Sequence, residues 1–169
     1  KEIYEDIEEA CKKNNIDLIV MGSNGASGFK EMFVGSNTEK VVRTSKTPVL
    51  VIKNNHEQFD VTDFVFATDF SEEGRGALDK AQKFAKKLGA KMHLLFVNTP
   101  GDFKTSVQAQ NIMENFVRGM GVENYTLNIY NDTSVEKGIL NFAKHANAQL
   151  IGMGPHGRKG ISQYAGDYF

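Results

Sequence analysis

Cysteine is nearly missing from this chain: Cys11 stands alone. A single thiol cannot close an internal disulfide, which fits a reducing compartment and so the cytoplasm. Cys11 falls within a helical pattern and reads as an inert thiol. Charge of one sign is lacking too, since 20 Lys+Arg against 21 Asp+Glu leave a net −1. That excludes the basic footprint by which proteins hold DNA or RNA. No apolar run approaches the roughly 18 residues of a membrane helix, so no membrane partner is expected. A signal peptide is absent, and so is an initiator Met. The sequence opens directly in a helical pattern, and a trimmed chain or a fragment is expected. His56, His93 and His145 are not spaced with Cys11 as metal ligands, so no structural zinc is expected.

What is present is ordinary for a globular domain: 40% apolar and 24% charged residues. The 169 residues suffice for one α/β domain or for two incomplete halves. Helical spacing of Ile3, Ile7, Ala10 and Cys11 predicts a helix over 2–14. The apolar run 16–22 predicts a strand buried on both faces. Ser36 and Glu39 suggest a capping box opening a second helix, and PVLVIK, with Pro48 first, a second strand. Residues 54–60 read as a polar linker.

The pattern then restarts. Residues 63–69 predict a strand. Ala77, Leu78, Ala81, Phe84, Ala85 and Leu88 share one face of a helix over 71–88, with Ser71 as N-cap and Gly89 beyond its end. A strand at 91–98, a helix over 103–119, an edge-like strand at 125–131, a helix from 134 and a strand at 148–154 follow. Strands alternating with helices imply a parallel sheet covered on both faces.

The restart is a repeat. Shifted by 132 residues, Ile7, Lys12, Asn15, Leu18, Ile19, Met21, Gly22, Gly25 and Gly28 fall on Ile139, Lys144, Asn147, Leu150, Ile151, Met153, Gly154, Gly157 and Gly160. The period is domain-sized, so duplication is the better account. Residues 1–53 are then the C-terminal half of a first domain. Residues 61–169 are a second domain without its last helix and strand.

Between strand 16–22 and the helix opening at Ser36 lies Gly22-x2-Gly25-x9-Gly35-Ser36. In an open α/β sheet, ligands bind beyond the carboxyl ends of the strands. Glycines let backbone N–H groups approach a phosphate, and a helix start adds unpaired donors. The alternative is a solvated loop punctuated by turn glycines, with Ser36 a plain cap. The loop is neither a Walker A loop nor GxGxxG.

These residues carry a family resemblance. MGSNGASGFKEMFVGSNTEKVVRTSKTPVLVIK resembles the signature half of the universal stress protein family, whose ATP-binding members share a Gly-x2-Gly-x9-Gly-Ser/Thr loop. FVFATDFSEEGRGALDKAQKFAKKLGAKMHLLFVN is similar to the family's opening strand, helix and second strand. The resemblance implies a doubly wound, open parallel sheet in the order 3-2-1-4-5, a Rossmann-like fold of the adenine-nucleotide α-hydrolase type, in tandem form. It implies that Asp69 meets the nucleotide with Thr68 beside it, and that the backbone at Val97 recognises adenine. Gly154, His156 and Gly157 match the start of the phosphate loop; Gly22, Gly25, Gly35 and Ser36 match all of it. Read from the residues alone, Asp69 accepts from ribose or caps helix 71–88, and Val97 is equally a core residue. His156 donates to a phosphate or stands in solvent.

The second loop departs from that pattern. The candidate for the loop's third glycine is Gly166, with eight residues between it and Gly157 instead of nine, Asp167 stands where Ser or Thr is expected, and Pro155 removes a backbone donor. A carboxylate facing a triphosphate repels it unless Mg²⁺ intervenes. Two arrangements follow: two incomplete halves, packed together or completed across a homodimer by edge strands, or a composite domain in which 1–53 completes the strands of 61–130. The composite leaves 133–154 without a place. The expected function is binding of ATP or a related adenine nucleotide, with Mg²⁺ bridging phosphates, for sensing in a stress response. No general base, nucleophile or arginine finger for fast hydrolysis is evident. The alternative is a dimerising scaffold of the same fold that binds no nucleotide.

Overall fold

The computed structural model describes residues 2–22, 36–52 and 58–154. The chain divides into two compact units, with the boundary between Glu57 and Gln58.

In the first unit, α1 (Ile3–Asn14), β1 (Ile19–Gly22), α2 (Ser36–Thr44) and β2 (Val49–Ile52) follow in order. β1 and β2 are parallel, in the register Ile19↔Val49 to Gly22↔Ile52. Cys11, Ile19 and Val41 are buried together, with Tyr4, Ile7, Met21 and Val49 packed around them. Ile3 is 54% exposed despite its helical spacing, because it opens the helix a turn before Ile7. The capping box expected at Ser36 and Glu39 is not used. α2 begins on Ser36 itself, and Glu39 pairs with Arg43 at 3.3 Å.

The second unit contains β3 (Asp63–Ala67), a 3₁₀ turn (Glu72–Gly74), α3 (Arg75–Leu88), β4 (Lys91–Asn98), α4 (Ser106–Val117), β5 (Tyr125–Asn131), α5 (Val135–His145) and β6 (Leu150–Met153). These strands form one parallel sheet in the order β5-β4-β3-β6. That is the 3-2-1-4 part of the expected order; β1 and β2 form a two-stranded sheet in the first unit. β6 pairs with β3 from Phe64↔Leu150 to Ala67↔Met153. Residues 133–154 therefore have their place in the second unit, and the composite alternative is not what it forms.

Side chains alternate between the two faces of each strand. Phe64, Phe66, Met92, Leu94 and Phe96 meet Leu78, Ala85, Ala109, Met113 and Phe116 of α3 and α4 on one face. Val65, Ala67 and Leu95 meet Ile139, Phe142 and Ala143 of α5 on the other. Two helices differ from their sequence patterns. The helix expected over 71–88 is broken by the 3₁₀ turn, where Gly74 comes so close that a Cβ there would lie 2.9 Å from Thr68 Oγ1. α4 starts late because Thr105 and Gln108 form a reciprocal capping box before Ser106.

At the 132-residue offset, the ends of α1 and α5 are alike. Asn15 and Asn147 occupy equivalent positions and both adopt a left-handed conformation, at φ 51° and 50°. Beyond them, Ile16 N donates to Cys11 O at 3.0 Å and Ala148 N to Ala143 O at 2.9 Å. The same offset thus closes both helices before strands β1 and β6.

Candidate functional site

In the second unit, the carboxyl ends of β3, β4 and β6 bring together Thr68, Asp69, Val97 and Gly154. β3 ends sharply. Phe70, buried, sits at φ 56°, a conformation that costs a bulky residue roughly 1 kcal/mol or more. Its N–H donates to Thr68 Oγ1 at 3.2 Å. Its ring is held by Phe96 and Phe116, with centroids at 6.1 and 5.1 Å. Packing therefore enforces a strained turn immediately after Asp69, as is common at functional sites.

Asp69 is exposed at the top of that turn. Its Oδ1 accepts from Ser71 N at 3.0 Å and from Ser71 Oγ at 2.7 Å. Ser71 precedes the 3₁₀ turn without a side-chain cap of its own, since its hydroxyl serves Asp69. The carboxylate is thus fixed at the strand end.

Val97 splits into two roles. Its side chain is core: a Cβ on Gly138 would lie 2.4 Å from Val97 Cγ1, so α5 rests directly on it. Its backbone faces elsewhere. In a parallel strand the N–H and C=O of one residue point to the same neighbour, and the direction alternates along the chain. Leu95 O accepts from Thr68 N and faces β3; Asn98 O accepts from Asp132 N and faces β5. Val97 N–H and C=O therefore point to the β3 side, beyond the last β3–β4 pair, Ala67↔Leu95.

Gly154 is buried, and its N–H donates to Ala67 O at 3.3 Å. A Cβ there would stand 3.6 Å from Thr68 Oγ1, an ordinary contact. His156 and Gly157 lie outside the described residues.

The first unit holds the ends of the other loop. Gly22 closes β1 and Ser36 opens α2; Gly25 and Gly35 lie outside the described residues. Thr38, 5% exposed, donates its hydroxyl to Gly22 O at 3.0 Å. That bond ties the first turn of α2 to the last residue of β1. Replacing Thr38 by Val is expected to cost about 1 kcal/mol, seen as faster hydrogen exchange of the β1 and β2 amides.

Sequence reading missed Asn98, Gly138 and Thr38. Asn98 is buried, and its carboxamide accepts from Lys104 N at 2.8 Å and donates to Lys104 O and to Asn131 Oδ1, both at 3.1 Å. The signal was an Asn ending an otherwise apolar strand. Next to it, hydrogen bonds from Asn141 Nδ2 and from Thr133 N hold the Asp132 carboxyl below its usual range. Among the described residues, no three His, Cys, Asp or Glu side chains gather as a metal site. No helix among them is long and apolar enough to cross a membrane.

Residues 1–53 match the model of the universal stress protein family. Universal stress protein MJ0577 of Methanocaldococcus jannaschii is 40% identical over 53 residues, 31% of this chain and 33% of that relative. A crystal structure of a universal stress protein from Archaeoglobus fulgidus DSM 4304 is 32% identical, with a TM-score of 0.63 over 89% of this chain and 53% of that one. The chain thus spans about a third of the curated relative and half of the solved one. A universal stress protein from Archaeoglobus fulgidus solved in complex with dAMP is 18% identical, with a TM-score of 0.46 over 55% of this chain and 82% of that one.

Proposed function

We propose that the chain is a universal stress protein and that its second unit binds an adenine nucleotide, ATP in the first instance, at the carboxyl ends of β3, β4 and β6. The observation that carries this reading is the direction of the Val97 backbone. One N–H and one C=O pointing the same way complement the N1 acceptor and N6 donor of adenine. Guanine offers O6 and N1–H there, and both would be mismatched.

Asp69 accepts from the ribose hydroxyls, and Thr68 stands beside it. Gly154 leaves the crevice floor free of a side chain where the phosphates enter. Gly154, His156 and Gly157 would open the phosphate loop, and Mg²⁺ bound with the nucleotide would neutralise phosphate charge. In the first unit, Gly22, Gly25, Gly35 and Ser36 form the corresponding cradle. The role is sensing by population shift in a stress response, in the cytoplasm. Edge strands offer the route to a homodimer or to packing between domains.

One observation favours a second reading, a scaffold of the same fold without nucleotide. Gly154 N–H is already engaged by Ala67 O, and Pro155 has none to offer.

The two are separated by calorimetric titration of the full chain with Mg·ATP and Mg·GTP. The nucleotide reading expects ATP to bind at least roughly tenfold tighter than GTP. It also expects Asp69→Ala and Gly154→Ala each to weaken ATP by a similar factor. Alanine at 154 meets no clash among the described residues, so a loss there reports on the ligand. No heat with ATP would leave the scaffold.

A further inference from the structure

Phe103 is 67% exposed, yet the loop that carries it is firmly held. After β4 the chain turns at Thr99–Asp102, where Asp102 N donates to Thr99 O at 3.2 Å. It then returns to the strand end, where the buried carboxamide of Asn98 grips both backbone groups of Lys104. Lys104 Nζ pairs with Asp102 across the turn. Phe103 is bonded directly to the gripped Lys104, so its backbone stands beside the end of β4.

The face on which this happens is fixed by alternation. Met92, Leu94 and Phe96 pack on the α3–α4 side, so Asn98 and the loop it grips lie on that side too. A base bonded edge-on to Val97 N–H and C=O lies near the plane of the sheet. One of its faces then looks to the α5 side, where Val97's own side chain packs. The other looks to the side of loop 99–105. An aromatic ring open to water on a loop fixed by a buried polar clamp is placed for a flat partner, which would cover it by stacking.

We propose that Phe103 is the stacking platform for the base of the bound nucleotide, covering the face turned toward α4. The inference rests on the nucleotide reading above. Asn98 acts through the loop as a positioning residue and does not itself touch the base.

The test uses the full chain, which contains no tryptophan. In Phe103→Trp the single indole reports on stacking, and Mg·ATP is expected to quench it while Mg·tripolyphosphate is not. In Phe103→Ala, ATP affinity is expected to fall roughly tenfold, with tripolyphosphate affinity unchanged. The exposed position keeps either variant folded. If wild type binds ATP and Phe103→Ala binds it equally well, with no quenching of the indole, the platform is wrong and the nucleotide reading stands. If wild type binds no ATP, both fall.

Discussion

Alanine at Gly138 is expected to destabilise the second unit by about 2 kcal/mol, read as a lower urea midpoint at unchanged slope. Helix propensity pushes the other way, since alanine is favoured over glycine by about 1 kcal/mol in a helix interior. The clash has to overcome that. A Cβ at 138 would lie 2.4 Å from Val97 Cγ1, 3.0 Å from Val97 Cγ2 and 3.3 Å from Asp132 Cβ. Val97 is β-branched, so rotating one methyl away brings the other in. The remaining escape is to push α5 off β4, which opens the cluster of Leu95, Ile139 and Phe142. Gly76→Ala is the control, because a Cβ there meets nothing within 4 Å among the described residues. It is expected to leave stability unchanged or raise it by up to about 1 kcal/mol. If both variants behave alike, α5 and β4 do not approach as closely as the structure has them.

That close approach also marks what the sequence could not display. Strand and helix positions were legible because apolar spacing is a local signal: β4 and β5 fall on the segments predicted for them, 91–98 and 125–131. Asn15 and Asn147, which fall in register at the 132-residue offset, share a left-handed turn, which explains why an asparagine recurs there. Helix beginnings were read less well. A Ser-x-x-Glu pattern at 36–39 looks the same whether Glu39 caps the backbone or pairs with Arg43. Gly74 and Gly138 read as ordinary helix glycines, since nothing local reveals that Thr68 and Val97 press against them. At the candidate site, Asp69 and Val97 were found through resemblance. Asn98 was not, because its hydrogen bonds go to residues 6 and 33 positions away. Contacts of that kind exist only once the sheet has formed.

The end of the sheet opposite the crevice gives the other large effect. Asp63 opens β3, His93 lies in β4 and Thr126 in β5. His93 Nε2 meets Asp63 Oδ1 at 2.7 Å and Nδ1 meets Thr126 Oγ1 at 2.9 Å, so one side chain links three neighbouring strands. Its ring rests edge-on against Phe142 of α5, with centroids 6.4 Å apart. The hydrogen bond from His93 holds the Asp63 carboxyl below its ordinary range; burial opposes this, and Thr62 and Lys91 reinforce it. A carboxyl with a depressed folded pKa stabilises the fold above its unfolded value, near pH 4, and that contribution is lost as pH falls through the folded value. Asp63→Asn keeps the shape and removes the charge. At neutral pH it is expected to cost about 1.5–3 kcal/mol, the range for hydrogen bonds to charged groups. The difference from wild type is then expected to shrink steadily below about pH 4, as the wild-type carboxyl takes up its proton. Urea midpoints of the two proteins, measured in parallel from pH 7 down to about pH 2.5, test both halves. The exposed acids common to both proteins cancel in that difference, so a gap independent of pH would mean that the lost charge was not what held the three strands.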